Sequence, residues 1–262
     1  MHATLEQFHR QRGFGRVRLE FGPKGLIRHG EEGSAKARVL PGSKQVMLLN
    51  TGGGLAGGDD FAFEVKVNPG TTLTVASQAA ERVYRSLGAS AQVNAQITAG
   101  ENSTLYWLPQ ETIFYDGGRL NRTITADLAA NAKLVMLEPV IFGRSISHET
   151  ISTIEFRDRW RIRQGGSLLF ADDTQIGPAL PQSAAAMGKA TAMATLLCVG
   201  ADFEPLAPKL HAVFGDHGAA SFWNGKLVAR LLAKDGYTLR KLLIRALGSV
   251  VEVGKLPLNW TV

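Results

Sequence analysis

The chain has 262 residues, 45% of them hydrophobic and 20% charged, with 29 lysines and arginines against 23 acids for a formal charge of +6. That balance suits a soluble globular protein with a sizeable core and mildly favours acidic partners. The single cysteine, Cys198, excludes an intrachain disulfide and a thiolate zinc site, which fits a reducing compartment.

Residues 1–15 are polar and charged, unlike a secretory signal. The longest apolar stretch, 190–201, falls far short of the ~20 residues needed to span a bilayer. A cytoplasmic protein without membrane contact is expected, organised as a single domain over 1–262. An apolar run at 46–49 leads into a loop of five glycines, Gly52, Gly53, Gly54, Gly57 and Gly58. From there a pattern of about 30 residues recurs through the middle of the chain. Its copies pair residues 61–67 with 71–78, 92–97 with 104–110, 121–126 with 133–138, and 157–163 with 167–172. Each reads as an alternating strand, a tight Gly/Asn turn and a second strand. Leu73, Leu105, Leu134 and Leu168 fall at matching places.

A two-stranded unit cannot bury its apolar face alone, so the pattern predicts a mainly β, layered or solenoid-like scaffold. A sandwich of ordinary hairpins is the rival architecture. If the copies stack, Gln78, Gln110, Glu138 and Asp172 form a polar ladder at the sheet spacing of ~4.8 Å. The plainer reading is that strand ends are where polar residues meet solvent. In the fourth copy Arg157, Arg159, Arg161 and Arg163 share one strand face and read as a solvated stripe. No aromatic stacking platform interleaves with it, so no nucleic-acid partner is expected.

Downstream, residues 183–200 are alanine-rich, so propensity alone favours a helix, but their last part, 190–199, also reads as a buried strand, the preferred reading. Residues 206–214 read as a helix and 219–233 as a hairpin turning at Asn224-Gly225. The clearest helix begins near Thr238, with Leu239, Leu242, Leu243, Ala246, Leu247, Val250 and Val251 on one stripe and Gly254 as its stop. About two helices are therefore expected, the clearer near the C-terminus.

Gly52, Gly54 and Gly57 satisfy G-x-G-x-x-G, but a strand follows where a dinucleotide fingerprint needs a helix N-terminus. There is no P-loop and no G-x-S-x-G elbow. The six histidines, His2, His9, His29, His148, His211 and His217, include no H-x-x-x-H spacing, so no preformed metal site is readable. The acid pairs Asp59/Asp60 and Asp172/Asp173 leave one alternative, a carbohydrate-active β-solenoid enzyme using two carboxylates.

Four blocks carry a family resemblance. Residues 49–59 resemble the N-T-x-G-G-x-x-x-G-D signature of UreD (also UreH) urease accessory proteins. Residues 77–86 resemble the Q-x-x-x-x-x-Y-R segment, 108–115 the L-P-x-E-x-I block, and 142–149 the G-R-x-x-x-G-E block, with Asp172 following at the expected distance. The ending at 256–260 also suits the family. The resemblance implies a β-helical scaffold without turnover of its own. It further implies partners in UreF, the GTPase UreG and apo-urease, and nickel as a transported ion rather than a tightly bound cofactor. Its implied path residues, carried over by position, are Asp59, Glu111, Arg144, Glu149 and Asp172. Gln78 and Glu138 join them from the repeat, and His148 as a metal contact because it stands where the family has Gly. Residues 24–40 lack the proline- and tyrosine-containing stretch of many relatives, which bears on partner contacts there.

Overall fold

The computed structural model describes residues 12–144, 150–183 and 185–261. Its backbone winds as a parallel β-solenoid of four coils, each visiting three walls. Strands β1 (Phe14–Gly22), β5 (Asp60–Val67), β8 (Ala91–Ala99), β11 (Arg119–Leu128) and β13 (Glu155–Gln164) run parallel in the first sheet. Strands β4 (Gln45–Asn50), β6 (Thr72–Ser77), β9 (Thr104–Leu108) and β12 (Lys133–Phe142) run parallel in the second. A narrow third wall stacks Leu55, β7 (Glu81–Val83), β10 (Thr112–Phe114) and the end of β12.

Register shows why the sequence repeats. Leu73, Leu105 and Leu134 lie directly over one another, as do Val75, Trp107 and Met136. In the first sheet Val17, Phe63, Ala95, Ile124 and Trp160 form one inward row, and Leu19, Val65, Ile97, Ala126 and Ile162 the next. A parallel stack has no face of its own to bury until its neighbours arrive, so the inward positions of these rows are apolar in every coil. Turns from the first sheet to the second use left-handed backbone, as at Gly70 and Asn102.

The fourth copy departs from the expected repeat. Its second strand, β14 (Ser167–Ile176), folds back antiparallel on β13 instead of joining the second sheet. Leu168 consequently pairs with Arg163 and is 52% exposed, not stacked on Leu134. The vacated place beside β12 is taken by β15 (Ala192–Val199), antiparallel, followed by β17 (Lys226–Ala233) and β16 (Gly218–Trp223). At the other end, β2 (Gly25–Gly33) and β3 (Ala35–Val39) pair antiparallel with β1 and β4.

Two helices cover the outer face of the second sheet. Helix α1 (Ala207–Phe214) follows a 3-10 turn, and α2 (Gly236–Val250) begins at Asp235, whose side chain accepts from the Thr238 backbone N–H at 2.7 Å. The stripe from Leu239 to Val250 is buried against Val135, Leu137, Leu196 and Ala229, making a second apolar core separate from the one inside the coils. Val251 is already extended, so the helix stops before the glycine expected to end it; Gly254, at φ 77°, turns the segment beyond. The hairpin at Asn224-Gly225 is as expected, both residues having positive φ. Among the described residues no helix is long and apolar enough to cross a membrane.

Candidate functional site

The inward rows are apolar except at one level of the solenoid, where a cavity of about 310 Å3 opens between the three walls. Exposed Thr51, Gly53, Gln78, Ala79 and Arg82 border its mouth. Phe61, Phe63, Val93 and Trp107 form its flanks, and Arg122 and Glu138 its deep end.

The first-sheet row at this level reads Gly15, Phe61, Val93, Arg122 and Asp158. Strand parity thus forces an arginine and an aspartate inward, where Arg122 Nε and Nη2 donate to the two Asp158 carboxylate oxygens at 2.9 and 2.6 Å. Arg122 Nη1 donates to Glu138, and Glu138 Oε1 also accepts from Trp107 Nε1 at 2.8 Å. All three charged groups are buried, so two carboxylates share one guanidinium. Burial pushes the Glu138 carboxyl up to about 7 and Asp158 adds to the rise, against the pull of Arg122. Burial alone would lower the Arg122 guanidinium, but Asp158 and Glu138 outweigh it and raise it.

Nearer the mouth, the third wall presents Glu81 directly below Thr112. Burial again pushes this carboxyl up to about 7, despite Asn50 Nδ2 donating to both of its oxygens at 3.3 Å. Asn50 also donates to the Gly54 carbonyl at 3.0 Å, so the glycine loop and the acid are fixed together. Gly54 sits at φ 152°, and a Cβ there would lie 2.4 Å from the Tyr84 ring. Outside this wall Tyr84 meets Tyr115 edge-on at 5.1 Å, and Arg144 lies over Tyr115 at 4.3 Å.

The expected ladder separates into parts. Continuing the β6–β9 register puts Gln110 above Gln78, and both line the cavity with Glu138. Glu138 itself follows the β9–β12 register over Pro109, one residue out of step, so the three share a space without forming a row. Asp172 is not among them. It lies on β14, which turned back, and is bound by Arg230 at 2.6 Å. The buried Nε2 of Gln110 finds no acceptor among the described residues, while its Oε1 accepts from Arg240 at 3.0 Å.

Of the other anticipated residues, Asp59 accepts from Gly13 N at 2.7 Å and Ala56 N at 2.9 Å, closing the glycine loop beside a separate pocket lined by Arg12 and residues 85–89. Glu111 is paired with Arg240 of α2 at 2.9 Å. His148 and Glu149 lie outside the described residues. Neither acid pair offers two carboxylates to one space: Asp60 pairs with Arg16 behind Asp59, and Asp173 with Arg157, Arg159 and Arg161 behind Asp172. Among the described residues no group of three or more His, Cys, Asp or Glu side chains is arranged to hold a metal ion.

Arg122, Asp158 and Glu81 were not anticipated. Their signal was parity: Arg122 shares the inward phase of Leu120, Ile124 and Ala126, and Asp158 that of Phe156, Trp160 and Ile162. A charge on the apolar phase of two neighbouring strands marks an interior pair.

The fold and cavity define a coil-built β-solenoid whose unusual chemistry is held inside the stack. The family model described as UreD urease accessory protein matches residues 14–257. The urease accessory protein UreD of Agrobacterium fabrum is 39% identical over 259 residues, covering 96% of this chain and 91% of that protein. Those of Mesorhizobium japonicum (42% identical, 88% and 86% covered) and Paracoccus denitrificans (40%, 100% and 97%) are similar over comparable spans. The chain belongs to the UreD urease accessory protein family.

Proposed function

We propose that this protein is a cytoplasmic, non-catalytic scaffold for nickel insertion into apo-urease, working with UreF and the GTPase UreG, and that the interior cavity is a passage for the ion. Family membership supports the accessory role. The observation that carries the passage is the set of oxygen-bearing side chains, Gln78, Glu81 and Glu138, lining one cavity between exposed and buried ends. Carboxylate and amide oxygens are weak ligands for a borderline cation compared with imidazole or thiolate, so they accept it and release it. Glu81 meets the ion first. Glu138, already neutralised in part by Arg122, receives it only in competition with that guanidinium. Asp59 and Glu111 act on this path indirectly, the first by holding the loop that borders the cavity and the second through Arg240, which also holds the lining Gln110. Arg144, His148, Glu149 and Asp172 are assigned to its approaches or to partner faces.

Co-expression with UreF, UreG and apo-urease tests both halves. The wild-type chain is expected to co-purify with these partners, and failure to do so would overturn the scaffold role. Glu81→Gln and Glu138→Gln should leave assembly intact on size exclusion while lowering the nickel content of the matured urease. Normal nickel content with both substitutions together would defeat the passage.

A further inference from the structure

Charges on the outer face of the first sheet are unevenly balanced along the solenoid. At the β1–β5 end they pair almost one to one: Arg16 with Asp60, Arg18 with Glu64 at 3.4 Å, and Lys66 with Glu20 at 2.9 Å. The middle strand presents only Gln92, Asn94, Gln96 and Thr98. At the β13 end Arg157, Arg159 and Arg161 converge on the single carboxylate of Asp173 at 3.2, 3.2 and 3.3 Å. The other charged groups facing this patch are Arg163, with Asp127 as its register partner, and the Arg119–Glu155 pair at 3.6 Å. Five arginines therefore face three carboxylates.

We propose that this stripe docks an extended acidic segment of a partner protein, independently of the nickel passage. The arginines alternate along a strand, so their backbone positions recur about every 6.8 Å, the spacing of alternate side chains in another extended chain. Arg157 and Arg159 engage Asp173 through Nε. Their Nη atoms have no acceptor among the described residues and leave the fork that grips a carboxylate through two parallel bonds. Arg161 is fixed differently: its Nη1 donates to the carbonyls of Trp160 and Asp172, so it is framework. Leu168, beside Arg163 and half exposed, adds an apolar contact at one end. A nucleic acid would want an aromatic ring on this face, and Trp160 is buried on the other.

The test is fluorescence anisotropy with a labelled ten-residue peptide alternating Glu and Thr. Binding is expected to weaken about tenfold in R157Q/R159Q, a change of about 1.4 kcal/mol. It should weaken less in R157K/R159K, which keeps the charges and loses the forks, and be unchanged in R16Q/R18Q at the balanced end. Circular dichroism melting checks that each variant is folded. Equal losses in R157Q/R159Q and R16Q/R18Q would reduce the effect to net charge and overturn the proposal. So would unchanged binding in R157Q/R159Q, or a twelve-nucleotide single strand binding more tightly than the peptide.

Discussion

Replacing Glu81 by glutamine isolates the cost of holding a carboxylate inside the solenoid. The folded-state value near 7 stands about 2.5 units above the ordinary 4.5, because burial disfavours the charge and Asp59 lies close enough to add to the effect. At 1.36 kcal/mol per unit this corresponds to about 3 kcal/mol. The sign follows from proton binding. Between pH 4.5 and 7 the folded chain holds the proton that the unfolded chain has released, so stability falls as pH rises through this window. Below it both states are protonated and the group costs nothing; above it the folded state carries the full penalty. Glutamine has no such dependence, and its effect on the Asn50 contacts is a constant offset. Urea unfolding of both proteins from pH 4.5 to 8 should therefore show the difference between them moving by about 3 kcal/mol in favour of glutamine. Other titrating groups cancel in the comparison. Two profiles that run parallel across the whole range would refute the reasoning.

Three further outcomes are expected. Arg122→Met strands Glu138 and Asp158 in the interior and should cost about 3–5 kcal/mol in urea unfolding, partly recovered when Glu138→Gln and Asp158→Asn are added. A loss below about 1 kcal/mol would mean the triad is not the buried cluster seen here. Gly54→Ala must shift the Tyr84 ring, crowd the Arg82 carbonyl at 2.8 Å and hold a side chain at φ 152°. It should lower stability by about 1–3 kcal/mol, and adding Tyr84→Ala should recover only the ring's share. Arg240→Ala removes the contacts to Glu111, Gln110, the Asn259 carbonyl and the Trp260 ring, so limited proteolysis within 251–261 should quicken while far-UV circular dichroism stays constant.

The coil repeat was legible because register is exact in parallel stacking: a 32-residue step carries Leu73 onto Leu105 and a 29-residue step carries Leu105 onto Leu134. The α2 stripe and the Asn224-Gly225 hairpin were legible for the same local reasons of period and turn chemistry. What sequence could not supply was the point where stacking ends. Nothing in residues 167–176 distinguishes a strand that continues the second sheet from one that folds back, because alternation is common to both, and Asp172 was misplaced with it. Glu138 was found as a strand-end acid, yet its surroundings come from Arg122, sixteen residues earlier on the first sheet, and Trp107, thirty-one residues earlier on the neighbouring strand β9. Asp59 and Glu111 were recognised by motif, but a motif does not say that one acid caps backbone amides and the other grips a helix.

The reversal of strand direction at both limits of the stack sets how large this molecule can be. A parallel solenoid left open offers each limit as a template for one more coil from a neighbouring molecule, which is the route to fibres. Here β2 and β3 at the start, and β14 and β15 at the finish, run against the coils they border, and the outermost strand β16 runs against them too, so an incoming coil meets the wrong polarity. The same reversals fix the stack at four turns, so the interior cavity sits in a frame of set length rather than in a pipe that lengthens by self-association.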